Sequence, residues 1–272
     1  RNTDIFVQSI GGNTQLFADN YWEVPSDKNL QSNYFAYIRI CNYFLETVLP
    51  KYEAGQISGN ATLTKNYIGE MYFMRAITYF RALAVFGDFP IITTVLPDQS
   101  TVIVDASKRA PRNEVARFIL EDMDKAIALL APRTQFNGQR LNKEAALLFK
   151  SRVALFEGTF EKYHKGSGRV PGDSNWPGAT ASYNSGKTFD INTEIRFFLQ
   201  EAMNAAKQVG DNAQLTANNH VMNPAVGVTT GWNSYFEMYS RPSLSSVPEV
   251  LLWKEYSSAQ NIKHDTPYRC KV

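Results

Sequence analysis

The sequence lacks the features that mark several large classes of protein. Its 272 residues include only two cysteines, Cys41 and Cys270, which lie far apart and form no CxxC pair. A zinc ribbon or a thioredoxin-like redox site is therefore unsupported. We interpret both thiols as unpaired, with a long-range disulfide as the alternative. No stretch approaches the roughly 18 consecutive apolar residues of a membrane-spanning helix.

An excess of charge of one sign is also absent, because 28 Lys and Arg residues nearly balance 26 Asp and Glu residues. The formal net charge is +2, and no block of the sequence is rich in Lys and Arg. A nucleic-acid partner is not indicated, since steering toward phosphates needs a basic patch. The motifs of serine hydrolases, zinc proteases, P-loop NTPases and dinucleotide-binding enzymes are missing too. We therefore expect no catalytic residues, no metal and no cofactor.

Helical periodicity is what the sequence does contain. Apolar residues recur at spacings of three and four, as in amphipathic helices, in five segments. These segments lie at about residues 34–49, 63–86, 112–130, 142–156 and 193–209. Small residues fall where neighbouring helices would approach, which is typical of TPR-like hairpins, although no period of about 34 residues repeats cleanly. The predicted fold is all-α, a TPR-like stack of helical hairpins with long irregular loops.

The predicted loops are concentrated in the second half of the chain. Residues 165–192 and 211–272 are rich in glycine, proline, asparagine and serine. Long connections of this kind are uncommon in compact domains and are usually functional or disordered. We interpret residues 1–272 as part of a single domain. Its helical framework would occupy residues 34–164 and 193–210, and the two loop-rich segments would form its ligand face.

The stretch GEMYFMRAITYFRALAVFGDFP, at residues 69–90, is apolar nearly all round the predicted helix. A helix of this kind is expected at the centre of the stack. Arg75 and Arg81 then need partners, because burying an unpaired charge is prohibitively costly. The candidate partners are Glu70, Asp88 and Asp122. We interpret Glu70 and Arg75 as members of structural ion pairs.

The end of this helix is marked by Gly87 and Pro90. Glycine readily adopts a positive φ angle, and proline cannot continue a helix. The sequence therefore predicts that the helix stops at the GDFP segment.

The same stretch resembles the signature helix of the SusD/RagB family, approximately GEA-x-F-x-RA-x-x-Y-F-x-L-x-x-x-FG-x-x-P. The matching positions are Gly69, Glu70, Phe73, Arg75, Ala76, Tyr79, Phe80, Leu83, Phe86, Gly87 and Pro90. Other family-like segments are YFAYIRICNYFLE, RAPRNEVARFILEDMDKAIALL, GQRLNKEAALLFKSRVALFEG and PEVLLWKEY. These segments are collinear with the family pattern and together span residues 34–256.

The resemblance implies a surface-exposed outer-membrane lipoprotein of Bacteroidetes, with TPR-like hairpins that support a loop-rich ligand face. Such a protein is a lid on a SusC-like TonB-dependent transporter, binds an oligosaccharide and is not an enzyme. Its lipid anchor would lie N-terminal to this sequence, and the chain would be a partial one.

Two alternatives stay open beside this reading. A RagB-like peptide-binding uptake subunit shares the framework, so the sequence barely separates it from a glycan binder. A TPR-like protein-interaction scaffold without a small ligand is the second alternative.

Candidate ligand contacts follow from the chemistry of sugars. Sugar rings present apolar C–H faces that stack on Trp and Tyr, and hydroxyl groups that need polar partners. The candidates in three predicted loops are Asn20, Tyr21, Trp22, Trp176, Trp232 and Tyr235. For each aromatic residue, the alternative is that it anchors its own loop to the body. We expect at least one of the three loops to contact ligand.

Overall fold

The computed structural model describes residues 32–218, 220, 233–239, 241–257, 259 and 261–262. Within those residues there is no β-strand, and two isolated bridges are the only β-type pairing. Seven α-helices are present there: α1 (Ser32–Glu53), α2 (Ala61–Phe86), α3 (Ser100–Ala106), α4 (Arg112–Leu129), α5 (Lys143–His164), α6 (Ile191–Gly210) and α7 (Ser234–Met238). The predicted all-α class is confirmed.

Backbone contacts divide the chain into two compact units, residues 1–33 and residues 34–272. In the second unit, α2 packs against α4, α4 against α5, and α5 against α6. Helices α5 and α6 run antiparallel, because Ser151 bonds to the Ala202 carbonyl while Lys165 bonds to Asn192. They form a helical hairpin. The assignment of residues 1–272 to a single domain stays a prediction.

Helix α2 lies at the centre of the hydrophobic core. Ile68, Ala76 and Tyr79 are all fully buried. The Tyr79 ring meets Phe118 edge-on at 4.9 Å between centroids. The Tyr79 hydroxyl accepts from the Ile92 N–H at 2.7 Å and donates to the Ile92 carbonyl at 3.0 Å. These two hydrogen bonds attach the extended segment that follows the GDFP turn to the central helix.

Arg75 is buried within this core. Its Nε and Nη2 atoms donate to the two carboxylate oxygens of Asp122 on α4, at 2.7 and 2.9 Å. Its Nη1 donates to Oδ1 of Asn42 on α1 at 2.8 Å. Asn42 in turn donates to the carbonyls of Ile92 and Thr94. One arginine therefore joins α1, α2, α4 and the segment after α2. Arg81 is exposed, so the expectation that it needs a buried partner is wrong.

Two glycines inside helices mark close packing. A Cβ atom on Gly69 of α2 would lie 3.0 Å from the Leu130 side chain, and one on Gly158 of α5 would lie 3.0 Å from Leu199. The helix predicted at about residues 142–156 is longer in the structure, since α5 continues past Gly158 to His164. The cost of a glycine in a helix interior, about 1 kcal/mol, is offset by the close approach that it permits.

Polar side chains cap several helices, and the end of α1 differs from the prediction. Side chains of Asn60, Asn142 and Asp190 accept hydrogen bonds from the first-turn N–H groups of α2, α5 and α6. Helix α1 extends beyond its predicted end at about residue 49, because it includes Pro50 and ends at Glu53. Helix α2 ends as predicted: Gly87 has a φ of 70° and its N–H bonds to the Leu83 carbonyl.

Candidate ligand-binding face

Exposed aromatic side chains lie together on the short helix α7 and at its end. Tyr235 is 39% exposed, Phe236 44% and Tyr239 72%. The rings of Tyr235 and Tyr239 meet nearly at right angles with 5.5 Å between centroids, and their hydroxyl oxygens lie 3.1 Å apart. We call Tyr235, Phe236 and Tyr239 the α7 aromatic face. It presents apolar ring surface and hydroxyl groups side by side.

Buried residues hold α7 so that this face points outward. Asn233 is 5% exposed, and its side chain accepts from the Tyr235 N–H while donating to Asn218 at 2.6 Å. At the other end of the helix, Met238 is 4% exposed and its sulfur contacts the Thr216 hydroxyl. Because Asn233 and Met238 point inward, the three aromatic residues between and beyond them are left accessible.

The Tyr239 hydroxyl group of the α7 aromatic face stays neutral around pH 7. The hydrogen bond with Tyr235 raises the pKa of Tyr239 above the ordinary value for a phenol. A neutral phenol can both donate and accept a hydrogen bond. The face can therefore stack against an apolar ring surface and exchange hydrogen bonds with hydroxyl groups.

The segment that follows α7 is fastened to the framework by Arg133. The Arg133 guanidinium donates to the carbonyl of Val250 at 2.7 Å and to those of Val247 and Ser245, each at 3.0 Å. Trp253 adds a second anchor, since its indole N–H donates to the Asn137 carbonyl at 2.7 Å. Sequence reasoning did not single out Arg133 or Trp253. Their partners are backbone carbonyls, which leave no mark on the sequence.

Trp176 lies in the long connection between α5 and α6. It is 6% exposed, and its indole N–H donates to Asp88 at 3.1 Å. Its ring meets Phe189 edge-on at 5.9 Å. In this geometry Trp176 anchors its loop to the body, which is the alternative stated for it. Its ring has little free surface on which a ligand could stack.

The rest of this connection is folded back on itself. The Asp173 carboxylate accepts from the N–H groups of Gly166 and Gly168 at 2.8 and 3.0 Å. Lys187 binds Glu114 of α4 at 2.7 Å. Residues 165–190 are therefore a packed loop with several attachments to the framework.

Asp88 of the GDFP segment joins this loop to α4 and α5. Besides Trp176, it accepts from the backbone N–H of Arg112 at 2.9 Å, and burial raises the pKa of Asp88. Arg112 binds both oxygens of Glu157 at 2.8 Å, and its guanidinium carbon lies 3.3 Å from the centroid of the Phe160 ring. Arg112 and Glu157 are both buried. Asp88 therefore aligns the start of α4 and the Trp176 loop together.

A cavity of about 440 Å³ lies between α1 and the segment after α2. Its apolar lining includes Phe35, Ile38, Ile92, Leu96, Pro97 and Ile103. Arg39 and Asn42 line it as well, and both donate to backbone carbonyls of the segment that forms its other side. This groove could not be predicted from the sequence, because its two walls come from distant parts of the chain.

Four of the candidate residues, Asn20, Tyr21, Trp22 and Trp232, lie outside the described residues, as does Cys270. Cys41 is a free, buried thiol, and burial raises its pKa to about 11. The sequence candidates that the structure does describe lie in separate parts of the chain, Trp176 in the connection between α5 and α6 and Tyr235 on α7. Sequence reasoning passed over Phe236 and Tyr239, although the i, i+4 spacing of Tyr239 from Tyr235 would have placed both tyrosines on one helix face.

The described part of the chain contains no group of three or more His, Cys, Asp or Glu side chains placed to hold a metal ion. None of the helices described there combines the length and the apolarity that crossing a membrane requires.

Comparison with known proteins gives a consistent set of relatives. The model of the family SusD-like_3, described as starch-binding and associating with the outer membrane, matches residues 2–155, which is more than half of the chain. A SusD-like protein P2 from Formosa agariphila is 34% identical over 109 residues, which are 40% of this chain and 21% of that protein.

Two solved structures are also similar. A SusD-like protein from Bacteroides fragilis shares 29% identity over 54% of this chain and 27% of its own, with a TM-score of 0.40. A SusD homologue from Bacteroides thetaiotaomicron shares 18% identity over 68% of this chain and 29% of its own, with a TM-score of 0.48. In each comparison the matched part of this chain spans less than a third of the relative's length.

Proposed function

Because the chain belongs to the SusD-like family, whose model is described as starch-binding and associating with the outer membrane, we propose that it is a non-catalytic glycan-binding protein of the cell surface. It delivers oligosaccharides to a SusC-like TonB-dependent transporter. The observation that carries the proposal is the α7 aromatic face, where ring surface and phenol hydroxyls are exposed together.

This face has the chemistry that a sugar ring needs. The C–H side of a pyranose is apolar and stacks on an aromatic ring, while its hydroxyl groups require donors and acceptors nearby. Tyr235 and Tyr239 supply both kinds of contact within one helical turn. Helix α7 is fixed from behind by Asn233 and Met238, so little order has to be gained when a ligand binds.

The remaining parts of the proposal concern the cellular location of the protein and its partner protein. An N-terminal lipid anchor outside this sequence would hold the protein at the outer membrane, where the transporter is its partner. The family description of association with the outer membrane supports this location.

One alternative has support from a specific observation. The apolar groove between α1 and the segment after α2, about 440 Å³ in volume, has the size and lining to accept apolar side chains of a peptide. A RagB-like peptide-binding uptake subunit is therefore the second candidate function. It would use the groove, whereas a glycan binder would use the α7 aromatic face.

Titration calorimetry of the full-length protein against neutral oligosaccharides and short peptides tests the proposal. We expect binding to an oligosaccharide, with affinity reduced by about tenfold, or roughly 1.4 kcal/mol, in Tyr239→Ala. Tyr43→Ala is the matched control, because Tyr43 is a 64% exposed tyrosine on α1. Binding of peptides but no glycan would overturn the proposal, as would equal affinity of Tyr239→Ala and the wild type. Chromatography of the incubated oligosaccharide should show no cleavage.

A further inference from the structure

The α5–α6 hairpin opens into a groove at the end where α5 stops and α6 begins. The two helices approach closely at Gly158, where Leu199 lies against the glycine. One turn further along each helix lie Lys162 on α5 and Ile195 on α6. Here the chain leaves α5 for the loop that returns to α6, and a groove lies between the two helix ends.

This groove has a volume of about 410 Å³. Its lining residues are Lys162, Lys165, Asn192, Ile195, Arg196 and Leu199. Two apolar side chains form its floor, and three cations and one amide stand around it. Lys162 and Lys165 are close together at the end of α5, whereas Arg196 belongs to the start of α6, so the fold brings the third cation to the other two.

The three cations of the groove are not matched by carboxylates. Among the described residues, Lys162, Lys165 and Arg196 form no ion pair. The Lys165 ammonium donates to the Asn192 side-chain oxygen at 2.8 Å, and Arg196 donates to the Thr193 hydroxyl at 2.9 Å. Both partners are neutral, so neither hydrogen bond compensates the positive charge of its donor.

Two other cations that face α6 do form ion pairs with carboxylates. Arg117 binds both oxygens of Glu194 at 3.0 and 2.8 Å. Lys150 reaches Glu201 at 2.6 Å and Asp124 at 2.7 Å. Carboxylates of α6 therefore pair with Arg117 and Lys150, whereas the cations at the groove have no such partner among the described residues.

Nearby acidic groups reduce the positive charge only in part. Asp190 caps α6 by accepting from the N–H groups of Asn192 and Thr193, and Arg196 helps to lower its pKa. Glu161 precedes Lys162 on α5 but is buried, and its pKa is raised to about 9, so at neutral pH it carries no charge. Three cations and one exposed carboxylate leave the groove positive.

We propose that this groove binds the oxyanion substituent, a sulfate ester or a carboxylate, of an acidic oligosaccharide. The proposal rests on the glycan-binding function and names the substrate class. Arg196 offers a planar fork of donors that suits a carboxylate or sulfate, and the two lysines add point charges. Ile195 and Leu199 provide an apolar floor for the C–H face of the sugar that carries the anion.

The test compares three oligosaccharides of equal length: a neutral isomalto-oligosaccharide, its sulfated derivative, and an oligogalacturonate. The full-length protein is titrated with each at low and at high salt. We expect an acidic oligosaccharide to bind about tenfold more tightly than the neutral one. That advantage should shrink in high salt, because exposed charges are screened. The sulfated and uronate arms show which oxyanion is preferred.

Variants of the groove connect this preference to its residues. Lys162→Ala and Arg196→Ala should each lose most of the advantage of the acidic ligand, whereas Arg196→Lys should keep part of it. Lys65→Ala and Arg81→Ala remove exposed cations on α2 and are the matched controls. If the controls weaken acidic binding as much as the groove variants do, the attraction is non-specific and the proposal fails.

Two further results separate the possible failures. Equal binding of acidic and neutral oligosaccharides overturns the groove proposal and leaves the glycan-binding function in place. Lys162→Ala that lowers the melting temperature but keeps the acidic preference also overturns it, because the lysine would then serve only to offset the dipole at the end of α5. Failure of the wild type to bind any of the three oligosaccharides would instead contradict the proposed function itself.

Discussion

The helical framework and the α7 region use polar groups and aromatic rings in opposite ways. In the framework, Arg75 and Arg112 are each 4% exposed, and each is matched by a fully buried carboxylate. Around α7 the inward positions are taken by Asn233 and Met238, and the aromatic rings face outward. The framework therefore pairs these two arginines internally, while the α7 region leaves aromatic surface available to a ligand.

Because of this difference, substitutions in the two regions should affect two different quantities, stability and ligand affinity. A buried arginine held by two or three hydrogen bonds fixes where helices lie, because any other arrangement leaves a charge unpaired. An exposed tyrosine contributes little to the folded state, and its removal is usually almost neutral for stability. Changes in the framework should therefore alter the free energy of unfolding, and changes on the α7 aromatic face should alter ligand affinity.

Arg75→Ala is expected to have the largest effect on stability. It would leave Asp122 buried without its bidentate partner and Asn42 without its third hydrogen bond, at a cost of about 3–5 kcal/mol. Denaturant unfolding followed by circular dichroism measures this loss. Arg81→Ala, on the same helix but exposed, is the control and should change stability by less than about 0.5 kcal/mol. Equal unfolding midpoints for the two variants would contradict the assigned role of Arg75.

Glu161→Gln tests a buried carboxyl group that has no hydrogen-bond partner in the described residues. Burial first, and then the charges of Glu157 and Glu194, raise its pKa to about 9 against the favourable effect of Arg112 and Arg117. The folded state therefore holds a proton that the unfolded state releases near pH 4.5. The resulting stability is complete below pH 4.5 and is lost as the pH rises toward 9.

Glutamine keeps this site neutral at every pH. The variant should thus gain stability over the wild type by about 1.4 kcal/mol per pH unit, or roughly 3 kcal/mol at most between pH 6 and pH 8. Thermal unfolding at a series of pH values measures the difference. Glu121→Gln removes an exposed carboxylate of α4 and should show no such pH dependence. A constant difference between Glu161→Gln and the wild type across this range would show that Glu161 titrates normally.

Properties that depend on one segment could be predicted from the sequence. The apolar circumference of α2 was enough to place it at the centre, and Gly87 marked its end. The choice of Asp122 over Glu70 and Asp88 as partner of Arg75 was not predictable, because it depends on how α4 packs. Glu70 binds Arg140 instead.

Features whose meaning depends on a distant partner were missed. The predicted fourth helix ends at about residue 156, before Gly158, because the role of this glycine in close packing exists only when Leu199 lies opposite. Helix α3 has only 7 residues and none is buried, so the sequence has no apolar stripe that would predict it. In the candidate site, the sequence predicted the exposed Tyr235. It could not predict that Trp176 is buried, because that burial involves a hydrogen bond to Asp88, far away in the chain.

Gly158→Ala is expected to show a smaller but measurable loss within the framework. The added Cβ atom would lie 3.0 Å from the Leu199 side chain and 3.2 Å from its backbone nitrogen, so α5 and α6 would have to separate, at a cost of about 1–3 kcal/mol. Gly210→Ala is the matched control, because a Cβ at this last position of α6 meets nothing within 4 Å. A stability of Gly158→Ala equal to or above that of the wild type would show that the hairpin is looser than described.

Tyr239→Phe is expected to have the smallest effect, and it falls on ligand binding alone. The change removes the hydroxyl that bonds to Tyr235 but keeps the ring, so stacking persists and one hydrogen bond to the oligosaccharide is lost, worth about 0.5–1.5 kcal/mol. Calorimetry should show a modest loss of affinity with an unchanged melting temperature. Tyr43→Phe on α1 is the control and should change neither quantity. A lower melting temperature with unchanged affinity would mean that the tyrosine pair belongs to the framework, and the contrast between the two regions would fail at this point.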